Sequence, residues 1–170
     1  MAIKADLKWR SHGVTWKSGH VYQIGHYQGW ENDPSPTLIV MYRLSGINPS
    51  TGHQWRFIQG INMTYIPRAI RKQFAQHWAR ELERTNGNIE FTWDLVQNRY
   101  PYLEKAVRRY FYKPSYYIKN VKAIPFDEME SVIVSTWSKD FSKKVRVTLA
   151  QKYRAVMGRN KRGFFSLFKR

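Results

Sequence analysis

Thr37-Leu38-Ile39-Val40-Met41-Tyr42-Arg43-Leu44 is a nearly continuous apolar run of strand length. A run without alternation suits a strand covered on both faces. On its N-terminal side, Gly19-His20-Val21-Tyr22-Gln23-Ile24-Gly25-His26-Tyr27 alternates apolar and polar residues at period two. Loop formers at Gly29, Asn32-Asp33-Pro34 and Pro36 separate the two stretches. On the C-terminal side, Ser45-Gly46-Ile47-Asn48-Pro49-Ser50-Thr51-Gly52 is dense in turn formers. Gln54-Trp55-Arg56-Phe57-Ile58-Gln59-Gly60-Ile61 then reads as a further strand, with Trp55, Phe57 and Gln59 on one face. The first 65 residues therefore read as β. Their Gly and Pro punctuation predicts a small SH3-like β-barrel or a curled antiparallel sheet.

Helices follow. Ile66, Ile70, Phe74, Trp78 and Leu82 recur every four residues, which predicts a helix with one buried stripe. Pro67 suits its first turn. Arg68, Arg71, Lys72, Arg80 and Arg84 are placed on the exposed side, and Thr85-Asn86-Gly87-Asn88 ends the helix. Thr92 is a candidate cap for a second helix through Arg99. Pro101 interrupts or restarts that helix, and Leu103, Val107 and Tyr110 or Phe111 suggest a short second stripe. Residues 116–124 are strand-like and stop at Pro125. Residues 126–133 suggest a short helix whose acids Asp127 and Glu128 match the positive end of its dipole. Phe141, Val145, Leu149, Tyr153 and Met157 again step by four, and Gly158 is a plausible stop. The expected class is α+β. Residues 1–138 form the barrel and helices around a single core, and residues 139–170 a basic C-terminal helix and tail.

The 170 residues carry 29 Lys+Arg against 12 Asp+Glu, a net charge of +17. Residues 139–170 hold eleven of these cations and a single acid, Asp140. A charge of this size points to a polyanionic partner, usually nucleic acid. Lys143, Lys144, Arg146, Lys152 and Arg154 line the face opposite the last apolar stripe, and Arg159, Lys161 and Arg162 extend it. These eight are the candidate phosphate contacts. Phe164, Phe165 and Phe168 in the tail are candidates for docking on a protein partner, because large apolar side chains in a terminal tail need a surface to cover them.

Enzymatic signatures are weak. There are no cysteines, so disulfides and thiolate chemistry are excluded. No glycine-rich phosphate loop and no strained G-x-S-x-G nucleophile turn occur. His20 and His26 would share a strand face and supply half a metal site; two ordinary strand histidines is the simpler reading. Asp127, Glu128 and Glu130 are the one tight acidic cluster, and helix-start electrostatics accounts for them better than hard-cation binding. No catalytic residue, metal ligand, cofactor or small-molecule substrate is expected. Membrane insertion is not expected either, for no apolar stretch is long enough to span. The N-terminus lacks the apolar core of a secretory signal.

Two segments look familiar. Gly60-Ile61-Asn62-Met63-Thr64-Tyr65-Ile66-Pro67-Arg68-Ala69-Ile70-Arg71 resembles a G-[IL]-N-x-x-Y-[IL]-P-x-x-x-R element, with Thr64 where that pattern has a histidine. Ile118-Lys119-Asn120-Val121-Lys122-Ala123-Ile124-Pro125-Phe126-Asp127-Glu128-Met129 is similar to a strand running into I-P-x-x-[DE]-[WM]. Both elements resemble small virion-associated, DNA end protector-like proteins of large tailed bacteriophages. The resemblance implies a phage particle protein with a small β-barrel followed by helices. It would be made in the host cytoplasm and reside in the virion, at the neck, tail, baseplate or packaged DNA terminus. DNA and neighbouring virion proteins are the expected partners. The alternatives are a metal-dependent nuclease or other DNA-processing enzyme of the phage, or a purely protein-docking module.

Overall fold

A computed structural model describes residues 4–27, 36–111 and 118–136. Its organising element is β5 (Thr37–Ile47), which pairs antiparallel with β6 (Gln54–Asn62) along one edge. The opposite edge of β5 takes two strands in succession. β4 (Val21–Tyr27) pairs near Ile39, and β1 (Lys4–Asp6) pairs near Leu44. β7 (Val107–Phe111) adds outside β6, and β8 (Ile118–Ala123) outside β4. The sheet order is β7-β6-β5-β4-β8, antiparallel at every pairing. β2 (Lys8–Ser11) and β3 (Val14–Lys17) form a separate hairpin. The fold is thus α+β, with a mixed set of helices on an antiparallel sheet. No pairing between β7 and β8 closes the sheet among the described residues.

The apolar run on β5 is covered on both faces, as its lack of alternation predicts. Leu38 and Val40 join Trp9, Trp16, Tyr22, Ile24, Ile58 and Tyr110 under the hairpin. Ile39 and Met41 join Val21, Ile61 and the helices on the other face. A bulge between Val40 and Tyr42 inserts Met41 and shifts the register by one residue. Beyond it Tyr42 sits opposite Gln59, Leu44 opposite Phe57 and Gly46 opposite Trp55. These residues therefore lie on the helix side, whereas Arg43 turns to the hairpin side and stands over Trp9. The strand also runs three residues past the expected turn, through Ser45, Gly46 and Ile47, because their partners on β6 continue to Gln54.

α1 (Arg68–Arg84) buries Ile70, Phe74, Trp78 and Leu82, the expected stripe. Phe74, Trp78, Phe91, Tyr100 and Tyr102 form an aromatic cluster with centroid distances of 4.7–6.5 Å. The Trp78 indole N–H donates to the Gly19 carbonyl at 2.8 Å and ties helix to sheet. The helix stops where the sequence places its end, with the Gly87 N–H donating to the Leu82 carbonyl at 2.7 Å. α2 (Trp93–Asn98) begins after Thr92 as expected, although the Thr92 side chain makes no cap bond. α3 (Phe126–Ser135) carries Asp127 and Glu128 in its first turn.

Two expectations are corrected. Arg71 is fully buried rather than exposed. A four-residue step advances about 400° around a helix, so the 70–82 stripe drifts by about 40° per step. Arg71 lies about 100° from Ile70 and falls inside the arc that the stripe sweeps out. Its Nη1 donates to the Met63 carbonyl at 3.2 Å. Burial, with Arg68 nearby, pushes its pKa down to about 10. Second, residues 107–111 are a strand and not a helical stripe. A 3₁₀ turn at Pro101–Ala106 uses up Leu103, and the ladder from Val107 to Phe111 then satisfies the outer edge of β6. That ladder brings the Tyr110 hydroxyl to the Asn62 amide.

The 60–71 segment is a polar hinge between sheet and helix. Asn62 Oδ1 accepts from the Thr64 N–H at 3.0 Å and from the Thr64 hydroxyl at 2.8 Å, capping the 3₁₀ turn Met63–Tyr65. Its Nδ2 donates to the Tyr110 hydroxyl at 2.9 Å. The close approach expected at Gly60 is present, since a Cβ there would lie 2.9 Å from the Ile39 carbonyl oxygen.

Candidate nucleic-acid interface

The eight cations Lys143, Lys144, Arg146, Lys152, Arg154, Arg159, Lys161 and Arg162, and the three phenylalanines Phe164, Phe165 and Phe168, all lie outside the described residues. The described part nevertheless presents a basic face and a stacked aromatic face, and sequence reasoning assembled neither.

The first is the outer face of the β2–β3 hairpin. Trp9 and Trp16 are directly paired, stack at 5.7 Å with an interplanar angle of 6°, and point into the protein. Period-two alternation then forces their neighbours outward. Lys8, Arg10, Thr15 and Lys17 make up that outer face, with Lys8, Arg10 and Thr15 exposed. Lys8 stands directly opposite Lys17, a like-charge cross-strand pair that is unfavourable on its own. No acid occurs anywhere from Leu7 to Trp30 to relieve it. The same field reaches His20, whose pKa is lowered chiefly by burial and further by Lys17, against a raising contact from the Gly87 carbonyl. The Lys-Trp-Arg and Trp-Lys spacing around Gly13 is the sequence signal that identifies this ribbon.

The second lies at the far end of the helix-side sheet face, past the bulge. Trp55 and Phe57 stack at 5.0 Å with a 14° interplanar angle, and Phe111 meets Phe57 edge-on at 6.0 Å. The Trp55 ring is laid across Gly46, where a Cβ would come within 2.3 Å of it. Only glycine on β5 permits that posture. Phe57 is 8% exposed yet belongs to neither core. Its cover is Trp55, Phe111 and the Arg109 guanidinium, which stands 4.8 Å above its ring. A relay fixes this arginine. The Arg109 Nε–H donates to Gln59 Oε1 at 3.1 Å, and Gln59 Nε2 donates to the Tyr42 hydroxyl at 3.1 Å. Burial raises the Tyr42 pKa and Arg109 opposes the rise, so the phenol stays protonated. The shared face of Trp55, Phe57 and Gln59 is legible in the sequence. Arg109 and Phe111 are not, because the spacing of Leu103, Val107 and Tyr110 or Phe111 reads as a helical stripe in which Arg109 has no part.

His20 packs against Phe126 at 4.9 Å, and its Nε2 lies 3.3 Å from the Gly87 carbonyl oxygen. Among the described residues no group of three His, Asp or Glu side chains is placed to hold a metal ion. Asp127 and Glu83 line a cleft of about 370 Å³ between α1 and α3, together with Phe126, Met129 and Asn86. No helix among the described residues is long and apolar enough to cross a membrane. No protein-family model, characterised protein or solved structure matches the chain.

Proposed function

We propose that this chain is a non-catalytic structural protein of a bacteriophage particle that grips DNA, neighbouring virion proteins or both through basic surfaces. The observation that carries the DNA reading is the Lys8–Lys17 pair with Arg10 beside it, three cations on one ribbon face in a stretch, Leu7 to Trp30, that contains no acid. Repulsion of this kind is relieved when phosphates lie along the face. The particle setting rests on the two segments that resemble virion proteins. The basic residues from Lys143 to Arg162 and the tail phenylalanines extend the same reading as further phosphate and partner contacts. The small-barrel form of the sheet belongs to the proposal too. Its support is Tyr27, which receives the Phe111 N–H at 3.4 Å and meets Tyr110 edge-on at 5.0 Å, so the β4 end curls under the β7 edge.

Duplex binding measured across a salt series tests the reading. Affinity is expected to fall with a log–log slope of about −0.9 per phosphate neutralised. Changing Lys8, Arg10 and Lys17 together to Ala flattens that slope by roughly 2–3 units if all three touch phosphate. A slope unchanged in this variant defeats the ribbon as an interface. Cleavage of linear or nicked DNA by the purified protein with Mg²⁺ or Mn²⁺ overturns the non-catalytic reading in favour of a nuclease. Locating the chain in an intact particle decides between neck, tail, baseplate and DNA terminus.

A further inference from the structure

We infer that Trp55, Phe57, Phe111 and Arg109 form a stacking platform for unpaired bases of single-stranded nucleic acid, a site separate from the basic ribbon. The inference rests on the reading that the protein binds nucleic acid, and it adds which form of nucleic acid this face takes.

The rings are arranged as a surface rather than as a core. Phe111 is 40% exposed and Trp55 is half-buried. They sit on adjacent strands of a sheet, so their relative positions are set by the ladder in which Phe57 pairs with Phe111. Phe57 serves as the floor that keeps the Trp55 ring from collapsing inward. A base has a π-face whatever its identity, and stacking on such a platform tolerates any sequence. A duplex keeps those faces inside its own stack and offers only edges and phosphates, so it has no use for this surface.

Arg109 decides against an ordinary apolar partner. Arg109 is an exposed residue whose guanidinium stands over the Phe57 ring, held there by Gln59 through Nε. The two terminal nitrogens are left to meet an anion beside the stacked base, the fork geometry that suits a phosphate. An apolar protein segment laid on the same rings would have to desolvate that charge without compensation. A polyanion carrying aromatic faces matches both halves of the surface, in a chain whose net charge is +17.

The test uses the full chain and fluorescence anisotropy with labelled oligothymidine of roughly 16 nucleotides, the upper site size of one stacking fold, beside a duplex of equal length. Phe111→Ala and Trp55→Ala are each expected to weaken single-strand binding by roughly 5- to 150-fold. Duplex affinity should stay within about twofold, because a ring carries no charge to release counterions. Arg109→Ala should weaken single-strand binding and also flatten its salt slope by about 0.7 units, the single-strand value for one phosphate. Urea unfolding of each variant checks the fold; if Trp55→Ala loses stability, the exposed Phe111 carries the decision. Wild-type single-strand affinity in Phe111→Ala, or an equal loss toward duplex, overturns the platform. A wild-type protein that binds duplex alone also overturns it and leaves the ribbon reading standing. Binding to neither form overturns both.

Discussion

Trp78→Ala is the sharpest perturbation the architecture offers. The side chain is fully buried and touches Phe74, Phe91 and Tyr100, and its indole N–H is the donor to the Gly19 carbonyl. Truncation of a buried tryptophan costs about 3–5 kcal/mol through lost transfer energy and the cavity left behind. The orphaned Gly19 carbonyl places the loss toward the upper end of that range. Against a total stability of roughly 5–15 kcal/mol, the variant is left marginal. Trp78→Phe separates the two contributions, since it keeps part of the ring volume and deletes the hydrogen bond, at an expected cost of about 2 kcal/mol. Arg80 lies two residues on and faces solvent. Arg80→Ala should cost less than about 0.5 kcal/mol. Urea denaturation followed by far-UV circular dichroism gives all three values, provided the m-value is unchanged. Equal costs for Trp78→Ala and Arg80→Ala would falsify the helix register and the aromatic core built on it.

Asn62→Ala removes the acceptor of both Thr64 bonds and the donor to Tyr110. Its expected cost is about 3 kcal/mol, against less than about 0.5 kcal/mol for Asn98→Ala, whose exposed amide only reaches Asp94; urea midpoints compare the two. His20 and His77 both have pKa values lowered from the ordinary 6.5, in each case mainly by burial. As pH falls below about 6.5 the unfolded chain takes up protons first, so the stability held above that pH is lost through the folded pKa values. The urea midpoint should therefore drop between neutral pH and pH 5, and His20→Gln with His77→Gln should lessen the drop; an equal drop in both proteins rejects this account. Deleting residues 159–170 removes Arg159, Lys161, Arg162, Lys169 and Arg170. If about three of them touch phosphate, the duplex salt slope flattens by roughly three units. Should Phe164, Phe165 and Phe168 instead dock on a virion partner, the slope is kept and assembly into the particle is lost.

The elements legible in the sequence are those whose burial pattern is local. The unbroken run at residues 37–44 announces a strand covered twice, and the four-residue stripe on α1 announces one buried face. Asp127 and Glu128 announce the start of α3. The misread elements depend on partners far along the chain. Leu103, Val107 and Phe111 keep a helix-like spacing, but β6 has an unfilled edge some fifty residues earlier, and pairing there outweighs local propensity. The β5 bulge is equally non-local. It moves Leu44 and Gly46 to the helix side and thereby creates the aromatic face, yet nothing in Val40-Met41-Tyr42 marks it. Arg71 is legible in principle, for the drift of a four-residue stripe encloses it; its charge points to solvent, whereas its angle on the helix points inward. The site residues chosen from charge fall in 143–162 and the tail phenylalanines in 164–168, all outside the described residues.

Both hydrophobic clusters draw on β5, with Leu38 and Val40 in one and Ile39 and Met41 in the other. A strand shared in this way cannot be withdrawn from one side only. Slipping it by a single residue would send each set of side chains into the wrong interior at once. The hairpin that carries the basic ribbon and the helices on the opposite face therefore both pack on the one strand whose register fixes the two interiors. Any adjustment on binding falls to the side chains that the sheet presents.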